Sequence, residues 1–269
     1  MGGFFITFTT MFERTVFKAF KKMVADTSRL LKAGDLTGAM LTAQQIDGKP
    51  MELAYRKIQR GTFRDEAERN YRRILKQAGY KAGFGSYSED WLAILFEYIE
   101  QRTTNQLIRL ITETTQRNII LLVQQAIQDG IGSEELARRI ERGNEIDRLT
   151  FRSLRQRTRT IARTERGRAA NAAHRAAADA APFEVDLIWN SRQDARTRGS
   201  RPTDKADHRE MDLQVAVNGV FTDPRNGDKM QYPGDISLGA SAGSVINCRC
   251  RLTEQARRDA NGRLIRKPQ

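Results

Sequence analysis

The chain has 269 residues, with 46 Lys and Arg against 33 Asp and Glu, and carries a formal charge of +13 when both histidines are neutral. That length supports a sizeable core without covalent staples, and two cysteines, at 248 and 250, cannot build the disulfide framework of a small extracellular scaffold. At 39% hydrophobic and 29% charged the chain is compatible with folding rather than with wholesale disorder, and its basic excess points to nucleic acid or an acidic partner.

The first dozen residues are apolar, but no cationic segment precedes them and Glu13, Arg14 and Lys18 follow, so the run is too short to span a bilayer. Position 6 is Ile where myristoylation of Gly2 requires Ser or Thr. No later stretch reaches about eighteen uncharged apolar residues, so stable membrane insertion is not expected. Phe12, Val16, Phe17, Phe20 and Met23 then fall on one side of an amphipathic helix, with Lys18, Lys21 and Lys22 on the wetter side.

The six prolines stand at 50, 182, 202, 224, 233 and 268, leaving residues 51–181 free of them and rich in Ala, Arg, Glu, Leu and Gln. That is a helical composition, yet one helix over it would run about 197 Å at roughly 1.5 Å per residue, so breakers must divide it. Gly79, Gly83 and Gly85 mark one break and Gly130 with Gly132 the next, after which Ser133, Glu134 and Glu135 open a further helix. Between these, Leu92, Ile94, Leu95, Tyr98, Ile99, Leu107, Leu110 and Ile111 recur at helical spacing over residues 91–128, where Trp91, Phe96 and Tyr98 read as packing residues. A last helix is expected over residues 149–180. It carries Ile161, Ala162, Ala169, Ala170 and Ala173 for close approach, and Arg152, Arg155, Arg157, Arg159, Arg163, Arg166 and Arg168 around it. The arginines suit a solvated face, an acidic protein or a phosphate backbone, and Glu165 among them is expected to pair with a neighbouring Arg.

After Pro182 the pattern changes. Residues 183–190 alternate as a strand, residues 215–221 read as a second, and Asp223-Pro224 with Asn226-Gly227 turns the chain into a hairpin before Met230. Residues 244–252 read as a closing strand, and the polar stretch after 253 as one short helix that frays. The expected fold class is therefore α+β: an elongated, mostly helical N-terminal region followed by a small mixed α/β C-terminal module. The divisions expected are 1–132, a basic connector at 133–181, the module at 182–253 and a polar tail at 254–269.

On a strand, Cys248 and Cys250 would face one side while Arg249 faces the other. His208 would share a helical face with Asp212, so His208, Cys248 and Cys250 supply three zinc ligands, with Asp212, Asp194 or water as the fourth. Buried reduced thiols and local redox chemistry are the competing readings. Asp194 and Arg198 stand at an i,i+4 spacing suited to an ion pair, next to Trp189. His208 with Asp194 around a divalent ion is the enzymatic alternative, a metal-dependent nuclease or other DNA-processing enzyme, although one Asp and one His do not define one. A DNA-binding packaging factor is a third reading, marked by steep salt dependence.

Taken in order, Ile161-Ala162-Arg163-Thr164-Glu165, Trp189 with Asp194 and Arg198, His208 to Asp212, Pro233-Gly234-Asp235 and Ile246-Asn247-Cys248-Arg249-Cys250 carry a resemblance. The chain resembles the phage head morphogenesis proteins, the minor head proteins related to the Mu F protein and the SPP1 portal-associated protein, over about residues 118–251. Leu213 departs from the pattern, since the family usually has glycine there. The resemblance implies a non-enzymatic minor structural protein of the virion, made in the host bacterial cytoplasm and placed inside or at the portal vertex of the head. It further implies the phage portal protein and a capsid or scaffolding protein as partners, and a role in head assembly and DNA packaging or delivery beside double-stranded DNA. The helical N-terminal region would contact portal or inner capsid, and the C-terminal module would serve as a hub stabilised by a structural Zn2+.

Overall fold

A computed structural model describes residues 49–80 and 154–268 continuously, together with isolated positions between 14 and 34 and between 113 and 135. The expected helices at 12–23 and 91–128 therefore fall largely outside the described residues, as do Arg152 and the side chains of Arg155 and Arg157. The chain divides into two units, residues 1–58 with 100–162 and residues 59–99 with 163–269. Two long helices precede a small mixed module: α1 (Lys49–Gln77) and α2 (Leu154–Asp179), then β1 (Val185–Asn190), β2 (Phe221–Thr222), β3 (Lys229–Met230), the short α3 (Ala242–Val245) and β4 (Arg251–Ala256).

In the second unit α1 and α2 pack through small residues. Phe63 and Ala67 meet Ala172, Ala173 and Ala176, and Ile74 with Leu75 meets Ala177, Ala181 and Phe183. The spacings of three, four and seven are those of one helical face, and alanine on α2 lets the aromatic and aliphatic side chains of α1 approach its backbone. Helix α1 ends at Gly79, whose φ of 80° is left-handed; the N–H of Tyr80 donates to Leu75 O at 2.9 Å, satisfying a carbonyl the helix leaves open.

Strand β1 turns Leu187 and Trp189 inward and pairs antiparallel with β4, Trp189 opposite Leu252 and Leu187 opposite Glu254. Trp189, Met211, Phe221, Met230, Val245 and Leu252 close the core, with the Trp189 and Phe221 rings edge to face at 5.3 Å. Burying each of these side chains contributes about 2 kcal/mol. The expected hairpin forms, with Phe221 opposite Met230 and Thr222 opposite Lys229, and Asp223 Oδ1 accepting the N–H of Arg225 at 2.9 Å within the turn.

Three expectations change. The second strand is interrupted: Val215 bridges to Ile188, Val217 bridges to Val220, and Asn218 with Gly219 both take positive φ, the tight reversal that Asn-Gly favours. The segment after 253 is not a helix. Strand β4 runs to Ala256, Arg258 bridges to Leu264, and Phe183 bridges to Arg266, while Glu184 N donates to Ile265 O at 2.8 Å. Composition misleads here because Glu254, which reads as solvated, is buried: His174 Nδ1 lies 2.5 Å from its Oε1 and Arg73 pairs with its Oε2. The third change concerns the cysteines.

Candidate metal centre

Residues 244–252 are not one strand. Helix α3 ends at Val245, Asn247 takes a left-handed φ of 58°, and Cys248 to Cys250 precede β4. What positions the two cysteines is α2. Thr164 Oγ1 accepts the N–H of Asn247 at 2.8 Å, and Arg163 donates to Asn247 Oδ1 at 2.9 Å. Two turns along, Asn171 Nδ2 donates to Cys250 O at 3.2 Å and to Pro233 O at 3.0 Å, and its Oδ1 accepts the N–H of Leu252 at 2.9 Å. Between them Arg168 donates to Gly234 O at 2.7 Å and pairs with Glu165 at 2.7 Å, with both side chains buried. The rise between Thr164 and Asn171 is about 10 Å. One straight helix thus grips the cysteine segment on both sides of its thiols.

His208 arrives from a series of turns, not from a helix. The carboxylate of Asp223 accepts the N–H of Asp207 at 3.0 and 3.1 Å, and Asp207 Oδ1 accepts the N–H of Glu210 at 3.1 Å. Gly199, at φ 94°, lies so close to Asp207 that a β-carbon there would meet Oδ1 at 1.8 Å. Glycine is therefore needed for the approach.

These supports bring His208, Cys248 and Cys250 together, with one ligand atom from each lying within 4.8 Å of the others. His208 Nδ1 stands 3.6 Å from Cys248 Sγ and 3.5 Å from Cys250 Sγ. Nitrogen and sulfur bound tetrahedrally to one zinc, at about 2.1 and 2.3 Å, stand about 3.6 Å apart, so the donor set fits that ion in both chemistry and spacing. His208 is 1% exposed and its Nε2 has no hydrogen-bond partner among the described residues; it faces Asp223 Oδ2 at 3.8 Å. A ligand at Nδ1 leaves Nε2 protonated toward that carboxylate, the outer support that metal-binding histidines require. The Trp189 ring packs edge-on against the imidazole at 5.2 Å. The two thiols are shifted in opposite directions. The hydrogen bond from Cys250, aided by His208, holds Cys248 well below the usual thiol range, whereas Cys250 is pushed up by Cys248 and by burial.

The carboxylates expected to complete the set lie elsewhere. Asp212 Oδ1 accepts the N–H of Ser191 at 2.7 Å, because residues 208–213 turn and do not carry His208 and Asp212 along one face. Asp194 pairs with Arg249 through both its oxygens, Nη1 to Oδ2 at 2.7 Å. Its expected partner Arg198 instead donates to Ile246 O, since residues 194–200 are turns without i,i+4 register. The Arg249 guanidinium is engaged by the Asp194 carboxylate. Glu165 finds its arginine in Arg168, Arg159 and Arg166 are exposed on α2, and Trp189 is core. Thr164, Asn171 and Asp223 were not among the expected site residues. Asn171 carried a signal, a poor helix former between alanines on the buried face of a helix.

The Arg249 guanidinium holds the Asp194 carboxyl below its ordinary value of 3.8. A carboxyl lowered in the folded state contributes stability above its unfolded value and loses it as pH falls toward its folded value. Wild type should therefore lose more of its denaturant midpoint between pH 5 and pH 3 than Asp194→Asn does, and equal losses would show that the pair contributes nothing.

Leu213 occupies a left-handed φ of 60° with its side chain 67% exposed, and its N–H donates to Trp189 O at 2.7 Å. The turn that glycine would make is kept here with a leucine. Leu213→Gly is expected to stabilise the protein by about 1 kcal/mol, relieving left-handed strain in excess of the entropy glycine adds to the unfolded chain. A lowered denaturant midpoint would refute this.

The model of a family described as Phage Mu protein F like protein matches residues 117–253. No curated protein and no solved structure gives a significant match.

Proposed function

The chain belongs to the Phage Mu protein F like family, and from that membership we propose that it is a minor structural protein of a phage head rather than a catalyst. The observation that carries the reading is how the matched motifs are used. Thr164, Glu165, Arg168, Asn171, Pro233, Gly234, Asn247 and Cys250 are occupied in bracing one another, through hydrogen bonds between 2.7 and 3.2 Å. Motifs joined in this way make a rigid hub. A nuclease centred on His208 and Asp194 is not favoured by the same geometry, because Arg249 occupies the Asp194 carboxylate.

His208, Cys248 and Cys250 would hold a structural zinc, with water or a further group as the fourth ligand. The metal would act as a cross-link, tying the turn that carries His208 to the segment between α3 and β4. The hub would sit at the portal vertex of the assembling head and in the finished virion, with the portal and a capsid or scaffolding protein as partners. The helical region before residue 132 would make the portal contact. Arg159, Arg163 and Arg166 along α2 suit a site near packaged DNA. No helix among the described residues is long and apolar enough to cross a membrane.

Coexpressed with its portal protein, the full chain is expected to copurify with the portal oligomer. Portal oligomers that elute free of the chain at equimolar expression would overturn the assignment. Equal retention of a fragment beginning at Gly132 would move the contact out of the N-terminal region.

A further inference from the structure

Beside the metal cluster lies a crevice of about 10 Å³, lined by Arg192, Arg196, Arg198 and Arg249 together with His208 and Cys250. Resting on the zinc reading above, we propose that this crevice is a phosphate site, with one oxygen of the phosphate taking the coordination position that His208, Cys248 and Cys250 leave open and its other oxygens meeting the arginines.

Three observations converge on it. A tetrahedral ion bound by three side chains has one position left, and no fourth Asp, Glu, His or Cys atom joins the three among the described residues. The crevice touches two of the three ligands and holds about one water-sized atom, enough for a single oxygen but not for a whole side chain. The charge around it is one-sided. Two thiolates with a neutral imidazole balance a divalent ion, so the arginines set the local potential. Asp194 offsets Arg249, and Arg192 reaches that same carboxylate only at 3.8 Å. Arg198 is drawn in by Ile246 O, and the Arg196 guanidinium is exposed with no partner among the described residues. Planar guanidinium forks favour an oxyanion that presents several oxygens. A carboxylate that places one oxygen in the crevice has only one left for the arginines, whereas a phosphate group has more. The phosphate could be free in solution or part of a nucleic-acid backbone, and the chemistry at the crevice is shared.

The test uses the full chain exchanged with Co2+, whose visible absorption reports the ligand set, at fixed ionic strength. Inorganic phosphate should shift the cobalt bands saturably, and Arg196→Ala should weaken that response by roughly tenfold, the loss of one charge-assisted contact. The bands of each protein before phosphate is added verify that the site is intact. An oligonucleotide without terminal phosphates that produces the same shift assigns the site to a phosphodiester backbone; a shift from inorganic phosphate alone assigns it to a free anion. Absent thiolate-to-cobalt absorption in anion-free protein overturns the metal reading itself. Intact bands that phosphate does not move, that acetate moves at lower concentration, or whose response Arg196→Ala leaves unchanged overturn the phosphate site alone.

Discussion

Stripping the metal with a chelator should lower the thermal midpoint of the second unit by roughly 10 °C. An ion held at a free concentration about a thousandfold above its Kd stabilises the folded state by about 4 kcal/mol, and a unit of this size loses a few degrees per kcal/mol. Cys250→Ser should reproduce the drop, and the chelator should then have little further effect, because the buried thiol that would hold the ion is gone. The affected region is specific. His208, Cys248 and Cys250 join a run of turns to a segment without regular hydrogen bonding, so neither side has secondary structure of its own to fall back on. The measurement that decides is metal content: near-zero zinc in protein prepared reduced and without chelator would end the structural-zinc reading whatever the melting curves show.

Asn171→Ala should cost about 4 kcal/mol in denaturant unfolding. The side chain makes three hydrogen bonds to backbone groups of Pro233, Cys250 and Leu252, all buried, and its loss leaves two carbonyls and one N–H unpaired where water does not reach. Each such orphan costs about 1–3 kcal/mol, and the sum is limited by local relaxation. Asn171→Leu separates this from a packing effect, since it keeps the volume and removes the bonds. If Leu restores stability, the position is only a space to be filled. A second readout follows from where Asn171 acts: with Cys250 released on its backbone side, zinc affinity should fall by about 10–100-fold, as it does when outer supports of a metal site are removed.

Much of this site is readable one residue at a time, and its failures have a common cause. Strand β1 shows in the alternation of Val185, Leu187 and Trp189, the hairpin in Asp-Pro and Asn-Gly, and α2 in a proline-free, alanine-rich run; all are local preferences that the packing then confirms. The association of His208 with Cys248 and Cys250 is legible because few other residues in the chain have that ligand chemistry. The secondary structure assigned to those residues was wrong, since Asn247 at a left-handed φ and the one-turn α3 break the apparent strand, and turns braced by Asp223 replace the apparent helix at 208–212. Non-local partners decide the rest. Asp194 is claimed by Arg249 from far along the chain, and Glu254 leaves the solvent because His174 and Arg73 surround it. No window of neighbouring residues contains that information.

The pairing of β1 with β4 carries a consequence for biogenesis. Strand β1 is synthesised well before its partner, and the segment that bridges to Phe183 is later still. A ribosome-bound chain stopped at residue 230 would thus have residues 213–216 for one edge of β1 but no β4 for the other, and neither thiol would yet exist to capture an ion. The hub is expected to close only after translation has passed Ala256, as one late step that couples sheet pairing to metal uptake. Until then the nascent protein has an apolar strand edge to protect, which makes the interval before release the period of greatest exposure to aggregation and to chaperones.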